Sequence, residues 1–270
     1  MSYADQSLPM PQRVSRSLRA QGRIVGALML RDMRTRFGHS HLSFLIALAW
    51  PLSHLFSVFL PFVFFAKYVP VGGSPSVFIA TGVAPYVLCM YPARMVSIAI
   101  LVNHPLLMFP IVKTTDIILA RVAVEILSAL IVISMFVSIL AAFEVEIVPP
   151  DPAVAISAIF MSILLGIALG VLNVIVVSIF KFWQFVFVFV MIIMWVTAGA
   201  TTVQISYSEQ TRYLLSFNPL MHLVIWMRSA YYGDYSAIPL SKSYVLWVVF
   251  GALLLGFAGD RLLRGRVLLQ

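Results

Sequence analysis

The chain has 270 residues, of which 61% are hydrophobic and 10% are charged, and its formal net charge is +8. A soluble globular domain carries about 25% charged residues, so this composition excludes an ordinary soluble domain and indicates an integral membrane protein. The chain has one cysteine, Cys89, which excludes a disulfide framework and a thiolate metal cluster.

Residues 1–43 are predicted to form a cytoplasmic N-terminal segment built around an amphipathic helix over 13–37. At the helical repeat, apolar side chains fall on one face of this helix and arginines fall on the opposite face. The apolar set is Val14, Leu18, Val25, Met29 and Met33, and the basic set is Arg16, Arg23 and Arg34. We expect the helix to lie at the membrane interface, with its arginines toward lipid phosphates or a partner protein.

Residues 44–270 are predicted to form an all-α membrane domain with six transmembrane helices, each close to the length that a bilayer requires. The predicted spans are 44–66, 77–101, 117–143, 153–180, 185–203 and 244–258. Four prolines are expected to interrupt the first two spans: Pro51, Pro61, Pro85 and Pro92. Gly166 and Gly170 form a G-x-x-x-G motif in the fourth span, which favours close packing of helices.

Lysines and arginines are distributed unevenly between the two ends of these spans. Six spans would put both termini on one side of the membrane, and that side would then carry most of the basic residues. The positive-inside rule therefore predicts that both termini, and the segment between the second and third spans, lie in the cytoplasm.

The segment 103–125, between the second and third spans, is polar and contains Pro105 and Pro110. Each proline lacks an N–H group and crowds the preceding turn, so the segment is predicted to form a short broken helix at the membrane surface. We call residues 103–116 the elbow. An apolar helix is predicted to follow, with three candidate N-cap residues at its start: Thr114, Thr115 and Asp116.

Arg121 and Glu125 are four residues apart in the predicted third span, so they face the same side of the helix and can pair. This pairing would lock the helix in place rather than contact a substrate. Arg94 is predicted to lie well inside the second span, where an isolated arginine requires water, a phosphate or a partner. It either contacts an anionic substrate in a pore or forms a structural pair with a carbonyl group.

The segment 204–243 contains an apolar stretch that Asn218 and Pro219 interrupt and that ends near Arg228. It is too short for a complete span with a central break, and it fits two half-helices that enter the membrane from the outer face and return. Non-helical backbone at this depth is tolerated only inside protein or beside a cavity, so the hairpin predicts an outer gate. The alternative is a loop that lies flat at the interface.

The sequence lacks the motifs of several kinds of catalytic site. It has no G-x-x-x-x-G-K-[ST] loop for ATP phosphates, no H-E-x-x-H motif, and no cluster of aspartates that would hold Mg²⁺. No metal site and no nucleophile–base pair are predicted, and a membrane glycosyl- or prenyltransferase would need a carboxylate cluster. These observations favour a non-enzymatic permease whose energy comes from another subunit.

Three stretches of the sequence resemble one family of exporters. They are LMLRDMRTRFGHSHLSFLIALAWPL at 28–52, NHPLLMFPIVKTTDIILARVAVE at 103–125 and SFNPLMHLVIWMRSAYYG at 216–233. The first and third are similar to runs found widely in the membrane subunits of type-2 ATP-binding-cassette exporters. The second resembles the capsular polysaccharide branch of that family, the KpsM-like permeases, and the resemblance covers most of the chain.

The resemblance implies a homodimer in the bacterial inner membrane that binds two nucleotide-binding ATPase subunits and a periplasmic polysaccharide co-polymerase or adaptor. ATP and Mg²⁺ would be held by the ATPase subunits, and this chain would carry no cofactor and bind no nucleic acid. The substrate would be a lipid-linked capsular polysaccharide, which passes between the two copies of the permease from cytoplasm to periplasm. The alternative substrates on the same fold are O-antigen, teichoic acid and a small drug.

The resemblance also implies roles for particular residues. In the family, the N-terminal helix and the loop between the second and third spans contact the ATPase subunit. The implied coupling residues here are Arg31, Asp32, Arg34, Arg36, Asn103, His104, Pro105, Lys113 and Asp116. The segment 204–243 corresponds to the family's periplasmic gate helices, with Asn218, Pro219 and Arg228 as the gate residues.

Substrate contacts are predicted at Arg94, Tyr86, Tyr91 and Trp183. An aromatic ring suits the apolar face of a pyranose, and the two tyrosines share the second span with Arg94. The alternative is that tyrosine and tryptophan anchor the helices at the membrane interface, where both residues are enriched.

Overall fold

The computed structural model describes residues 10–37, 41–65, 71–203, 208–233, 235–236 and 238–268. These residues form ten α-helices and one short 3₁₀ helix, His104–Met108, and no strand occurs among them. The α-helices are α1 Met10–Phe37, α2 His41–Phe65, α3 Pro75–Ser97, α4 Ala99–Asn103, α5 Thr114–Ala142, α6 Pro152–Ile179, α7 Trp183–Thr197, α8 Glu209–Leu215, α9 Pro219–Tyr232 and α10 Lys242–Leu268. The predicted all-α class is confirmed for this part of the chain.

Five of the described helices contain a segment long and apolar enough to cross a membrane. These segments are Leu48–Phe65, Pro75–Ser97, Thr114–Ala142, Pro152–Ile179 and Lys242–Leu262. The predicted fifth span, 185–203, corresponds to the shorter helix α7, which has 15 residues and is followed by non-helical backbone. A straight crossing requires about 20 residues, so length and composition identify five of the six predicted spans.

The predicted amphipathic helix is present as α1, which packs against α5 and α2. Met29 and Met33 pack against the hydrophobic core, as their positions on the apolar face predict. Leu18, from the same predicted face, is 62% exposed. Leu18 lies one turn before Gln21, and the side chain of Gln21 contacts the first turn of α5. The part of α1 that precedes Gln21 therefore extends beyond the start of α5, the helix on which the apolar face of α1 packs.

The close pairing of α3 with α6 forms the centre of the bundle. Most residues of α3 are buried, and α6 also contacts α9 and α10. A Cβ atom on Gly166 would overlap the carbonyl group of Cys89, and one on Gly170 would lie 2.7 Å from Cβ of Val96. The predicted role of the G-x-x-x-G motif in close helix packing is therefore confirmed, since only glycine allows the two backbones this approach.

The four prolines do not break the first two spans. Pro51 and Pro61 lie inside α2, and Pro85 and Pro92 lie inside α3, which is helical from end to end. The interruption falls after them, at Ile98, which separates α3 from the short helix α4. Neighbouring helices compensate for the hydrogen bonds that prolines remove from a membrane helix, so the position of a break depends on packing as well as on proline.

Candidate functional site

The elbow folds into a compact turn between α4 and α5. Its 3₁₀ helix has Pro105 in the first turn, where the missing N–H group costs nothing. The N-cap of α5 is Lys113, and Oδ2 of Asp116 accepts a hydrogen bond from the Lys113 backbone N–H at 3.1 Å. The prediction of an N-cap among Thr114, Thr115 and Asp116 was wrong, because Asp116 caps the helix from its third position instead.

Two side-chain hydrogen bonds join α1 to the elbow. Nε2 of Gln21 donates to Oδ1 of Asp116 at 3.0 Å, and Nη1 of Arg31 donates to Oδ1 of Asn103 at 3.1 Å. Asn103 in turn donates to the backbone oxygen of Ala99 within α4. The contacts lie at opposite ends of the elbow, so α1 holds both the residue that ends α4 and the first turn of α5.

A buried cluster of charges fixes α1 to α5. Nη1 of Arg121 lies 2.9 Å from Oδ2 of Asp32 and 3.8 Å from Oε1 of Glu125. The pairing of Arg121 with Glu125 predicted from their spacing is present, but the shorter contact crosses to α1. Asp32 is buried, and its carboxylate faces α5, so it positions α1 within the bundle.

Gln21 is not among the contact residues predicted from the sequence, although its position on α1 carries a signal. Gln21 and Asp32 lie along the stripe of α1 that also holds Val25 and Met29. A polar residue on the packed stripe of an amphipathic helix needs a polar partner, because burial without one is costly. Both residues find that partner on α5.

The replacement of Asp32 by asparagine, or of Arg121 by methionine, is expected to destabilise the protein. Removing one member of a buried ion pair typically costs about 3–5 kcal/mol. Asp32→Asn leaves Glu125 as a second acceptor for Arg121, so Arg121→Met should have the larger effect. Thermal unfolding of the purified protein in detergent tests this order. Arg34→Met is the control, since Arg34 is exposed on the same helix. Equal unfolding temperatures for all three variants and the parent would contradict the assignment.

The tip of the elbow is apolar and exposed. Met108 is 84% exposed and Ile111 is 69% exposed, and Phe109 between them is also exposed. Two of the predicted coupling residues, Pro105 and Lys113, are exposed beside them. An exposed apolar patch with a polar rim marks a surface for protein or membrane contact.

The other predicted coupling residues differ in exposure. Arg31 and Arg34 are exposed on α1, whereas Asn103 and Asp116 are buried. His104 is partly buried, and its Nε2 has no hydrogen-bond partner among the described residues. The side chain of Arg36 lies outside the described residues.

Arg228 forms a buried clasp at the opposite end of the bundle. Its exposure is 0%, and its guanidinium lies 3.8 Å above the ring of Phe78 in α3. Nη1 donates to the carbonyl oxygens of Gly199 at 2.9 Å and Thr202 at 3.2 Å, and Nη2 donates to those of Ala200 at 2.5 Å and Phe78 at 3.3 Å. The side chain thus joins α9 to α3 and to the non-helical segment after α7.

The predicted interruption at Asn218 and Pro219 separates α8 from α9. Asn218 is the N-cap of α9, and its Oδ1 accepts a hydrogen bond from Leu220 N–H at 2.9 Å. Its Nδ2 donates to the Met194 carbonyl at 2.7 Å and to Oγ1 of Thr197 at 2.8 Å, both in α7. Residues 220–228 of α9 are all buried, and α9 packs against α3, α6 and α10. Residues 204–207 of the predicted hairpin lie outside the described residues.

Two of the predicted substrate residues lie close together, since the rings of Tyr86 and Tyr91 both contact the ring of His54 in α2. Tyr86 and Tyr91 are buried, with hydroxyl contacts to Sδ of Met90 at 3.0 Å and to Nδ1 of His54 at 3.3 Å. Nε1 of Trp183 donates to Oδ1 of Asn173 at 2.7 Å, which joins the start of α7 to α6.

Arg94 is exposed rather than buried. It lies in the last turn of α3, close to the elbow. The prediction placed it deeper because it assumed a span that continued to residue 101, whereas α3 ends at Ser97. Its guanidinium therefore lies at the surface of the bundle rather than within it.

Comparisons with known proteins identify relatives along most of the chain. No protein-family model matches it. It is 24% identical over 234 residues to the capsule polysaccharide export inner-membrane protein BexB of Haemophilus influenzae, covering 87% of this chain and 86% of that protein. It is 25% identical over 244 residues to the capsule polysaccharide export inner-membrane protein CtrC of Neisseria meningitidis, covering 90% and 91%. The resemblance inferred from the three sequence stretches is therefore confirmed, and the chain is a homologue of the capsule polysaccharide export inner-membrane proteins.

Proposed function

We propose that this chain is the membrane subunit of an exporter that moves a lipid-linked capsular polysaccharide from the cytoplasm to the periplasm. The observation that carries the proposal is the similarity, over 87–90% of the chain, to proteins of capsule polysaccharide export. Energy comes from ATP, which binds together with Mg²⁺ to two separate ATPase subunits beneath a homodimer of this chain. A periplasmic adaptor receives the polymer on the other side.

The chain crosses the inner membrane six times, and α7 together with residues 198–203 forms the fifth crossing. Two contacts support this arrangement. The start of α7 is bonded to Asn173, near the end of α6, through Trp183. The backbone after α7 reaches Arg228, which also contacts Phe78 near the start of α3. With six crossings, the uneven distribution of basic residues places the elbow in the cytoplasm.

The exposed tip of the elbow docks on the ATPase subunit. Met108, Phe109 and Ile111 supply an apolar contact, and the arginines of α1 supply a basic one. Since hydrogen bonds and the Asp32–Arg121 pair tie α1 to the elbow and α5, these parts move as a unit. Ile98 is the short link through which this movement reaches α3.

Arg94 contacts an anionic group of the substrate at the cytoplasmic end of α3. Its exposure allows this contact, since a phosphate or an acidic sugar can reach the guanidinium there. The rings of Tyr86 and Tyr91 would meet a glycan only after α2 or α7 moved away from them, because both rings are packed against these helices.

Aspartate in place of Met108 and Ile111 tests the coupling surface. Charges at these positions should abolish co-purification of the ATPase subunit and leave the polymer inside the cell, because an apolar contact cannot bury two carboxylates. Both side chains are exposed, so the abundance and thermal stability of the permease should not change.

The matched control is Val148→Asp, an equally exposed apolar residue beyond the other end of α5. It should leave ATPase binding intact. Normal co-purification and export with the elbow variant would contradict the coupling surface. ATP hydrolysis by the purified permease alone would contradict the division of labour between subunits.

A further inference from the structure

A cavity with mainly apolar walls and a few polar groups lies at the Arg228 end of the bundle, outside the elbow and the predicted substrate residues. It has a volume of about 590 Å³ and lies between α8, residues 238–241 and the start of α10. Small-molecule sites occupy about 300–1,000 Å³. The lining residues that carry the argument are Glu209, Arg212, Tyr213, His222, Ser241 and Tyr244.

The floor of this pocket is held rigidly by hydrogen bonds. His222 is buried, with Nε2 at 2.9 Å from the Ser216 carbonyl, and its Nδ1 accepts from Ser241 N–H at 3.4 Å. The neutral imidazole with hydrogen on Nε2 satisfies both contacts. The ring of Tyr244 meets His222 edge-on, and its hydroxyl donates to the Phe217 carbonyl at 2.6 Å.

The mouth of the pocket presents groups that remain available to a ligand. Tyr213 is 66% exposed, and its ring stands edge to face with that of Phe217, with 5.2 Å between the ring centres, so this wall of the pocket is aromatic. Arg212 is half-buried and lines the pocket. Glu209, one turn before Tyr213, is exposed and lines the same pocket.

This combination suits a sugar better than a lipid chain or a phosphate. The aromatic wall can cover the C–H face of a pyranose, while Arg212 donates and Glu209 accepts hydrogen bonds at the ring hydroxyls. A site for an acyl chain would resemble the cavity of about 280 Å³ between α3, α5 and α6, whose walls are almost wholly apolar. A phosphate site would not have a carboxylate such as that of Glu209 near its arginine, because the negative charges of a carboxylate and a phosphate repel each other.

We propose that the pocket between α8 and α10 binds a short stretch of saccharide, with Tyr213 as the stacking residue and Arg212 and Glu209 as the polar contacts. The proposal rests on the proposed function and adds to it a glycan site at the end of the permease from which the polymer leaves. His222 and Tyr244 are positioning residues, because they hold the floor of the pocket through backbone contacts.

The test is equilibrium binding of short oligosaccharides, cut from the surface polysaccharide of the same cells, to the full-length protein in lipid nanodiscs. Isothermal titration calorimetry should show binding to the parent. Arg212→Gln should weaken it by roughly tenfold or more, since a hydrogen bond from a charged group is lost. Tyr213→Leu should also weaken binding, without a change in folding, because the ring is exposed.

Phe143→Leu is the matched control, because Phe143 is an exposed aromatic residue outside the pocket. It should bind as the parent does. No binding to the parent, or equal binding to all variants, would overturn the saccharide site. Cells from which this chain has been deleted distinguish a failure of the saccharide site from a failure of the proposed function. If deletion removes the surface polysaccharide while the pocket variants bind normally, only the pocket is wrong. If the surface polysaccharide is unchanged by deletion, both proposals fail.

Discussion

Replacement of Arg228 by methionine is expected to destabilise the protein by roughly 3–5 kcal/mol, because buried carbonyl groups lose their donor. The carbonyls of Gly199, Ala200 and Thr202 all accept from this one guanidinium, which is itself fully buried. The loss should also free α9 from α3, since Arg228 contacts Phe78 through both a hydrogen bond and its ring. Thermal unfolding in detergent and resistance to protease measure the effect.

Arg228→Lys distinguishes the contribution of the positive charge to stability from that of the forked shape of the guanidinium. A lysine ammonium keeps the positive charge but cannot reach both groups of carbonyls that the forked guanidinium reaches, so an intermediate loss is expected. Arg94→Met is the control, because the same change is made to an exposed side chain. Unfolding of Arg228→Met at the parent temperature would show that the clasp contributes nothing to stability.

Gly166→Val should have an effect of similar size at the contact between α3 and α6. The first carbon of any side chain at Gly166 would overlap the backbone of Cys89, and α3 is enclosed too fully to retreat. Overpacking by a methyl group costs about 1–3 kcal/mol, and valine adds more bulk. We therefore expect low abundance in the membrane and early thermal unfolding, with Gly166→Ala less affected than Gly166→Val.

Gly251 provides the matched control for this substitution. It lies in α10, and a Cβ atom built there meets nothing within 4 Å. Gly251→Val should therefore preserve abundance and unfolding temperature. If Gly166→Val behaved in the same way, the close approach of α3 and α6 would not be required by the fold.

Local patterns in the sequence predicted the elements that depend on neighbouring residues alone. The apolar stripe of α1 comes from helical periodicity, and the interruption before α9 comes from the capping chemistry of Asn218 followed by Pro219. The small residues Gly166 and Gly170 indicated a close helix contact without indicating the partner helix. The elbow was recognised for the same reason, since polar residues and prolines between two apolar runs disfavour a continuous span.

The same patterns failed where the end of a helix depends on its surroundings. Arg94 was placed too deep because apolar residues continue beyond Ser97, while the helix itself ends there. Thr114 and Thr115 were plausible caps, yet Asp116 bonds both to Lys113 and to Gln21 of α1. The contact with α1 contributes to the geometry at that helix start, and local sequence does not contain it.

The sequence by itself determined the membrane class, the helical architecture, the position of the elbow and the resemblance to capsule exporters, because composition, periodicity and motifs are local properties. Only the tertiary structure decided which charges pair and which polar groups remain open. Asp32 meets Arg121, and Arg228 meets the backbone after α7, because helices distant in sequence cross at those points. The pocket beside Tyr213 arises in the same way, since three separate segments enclose it.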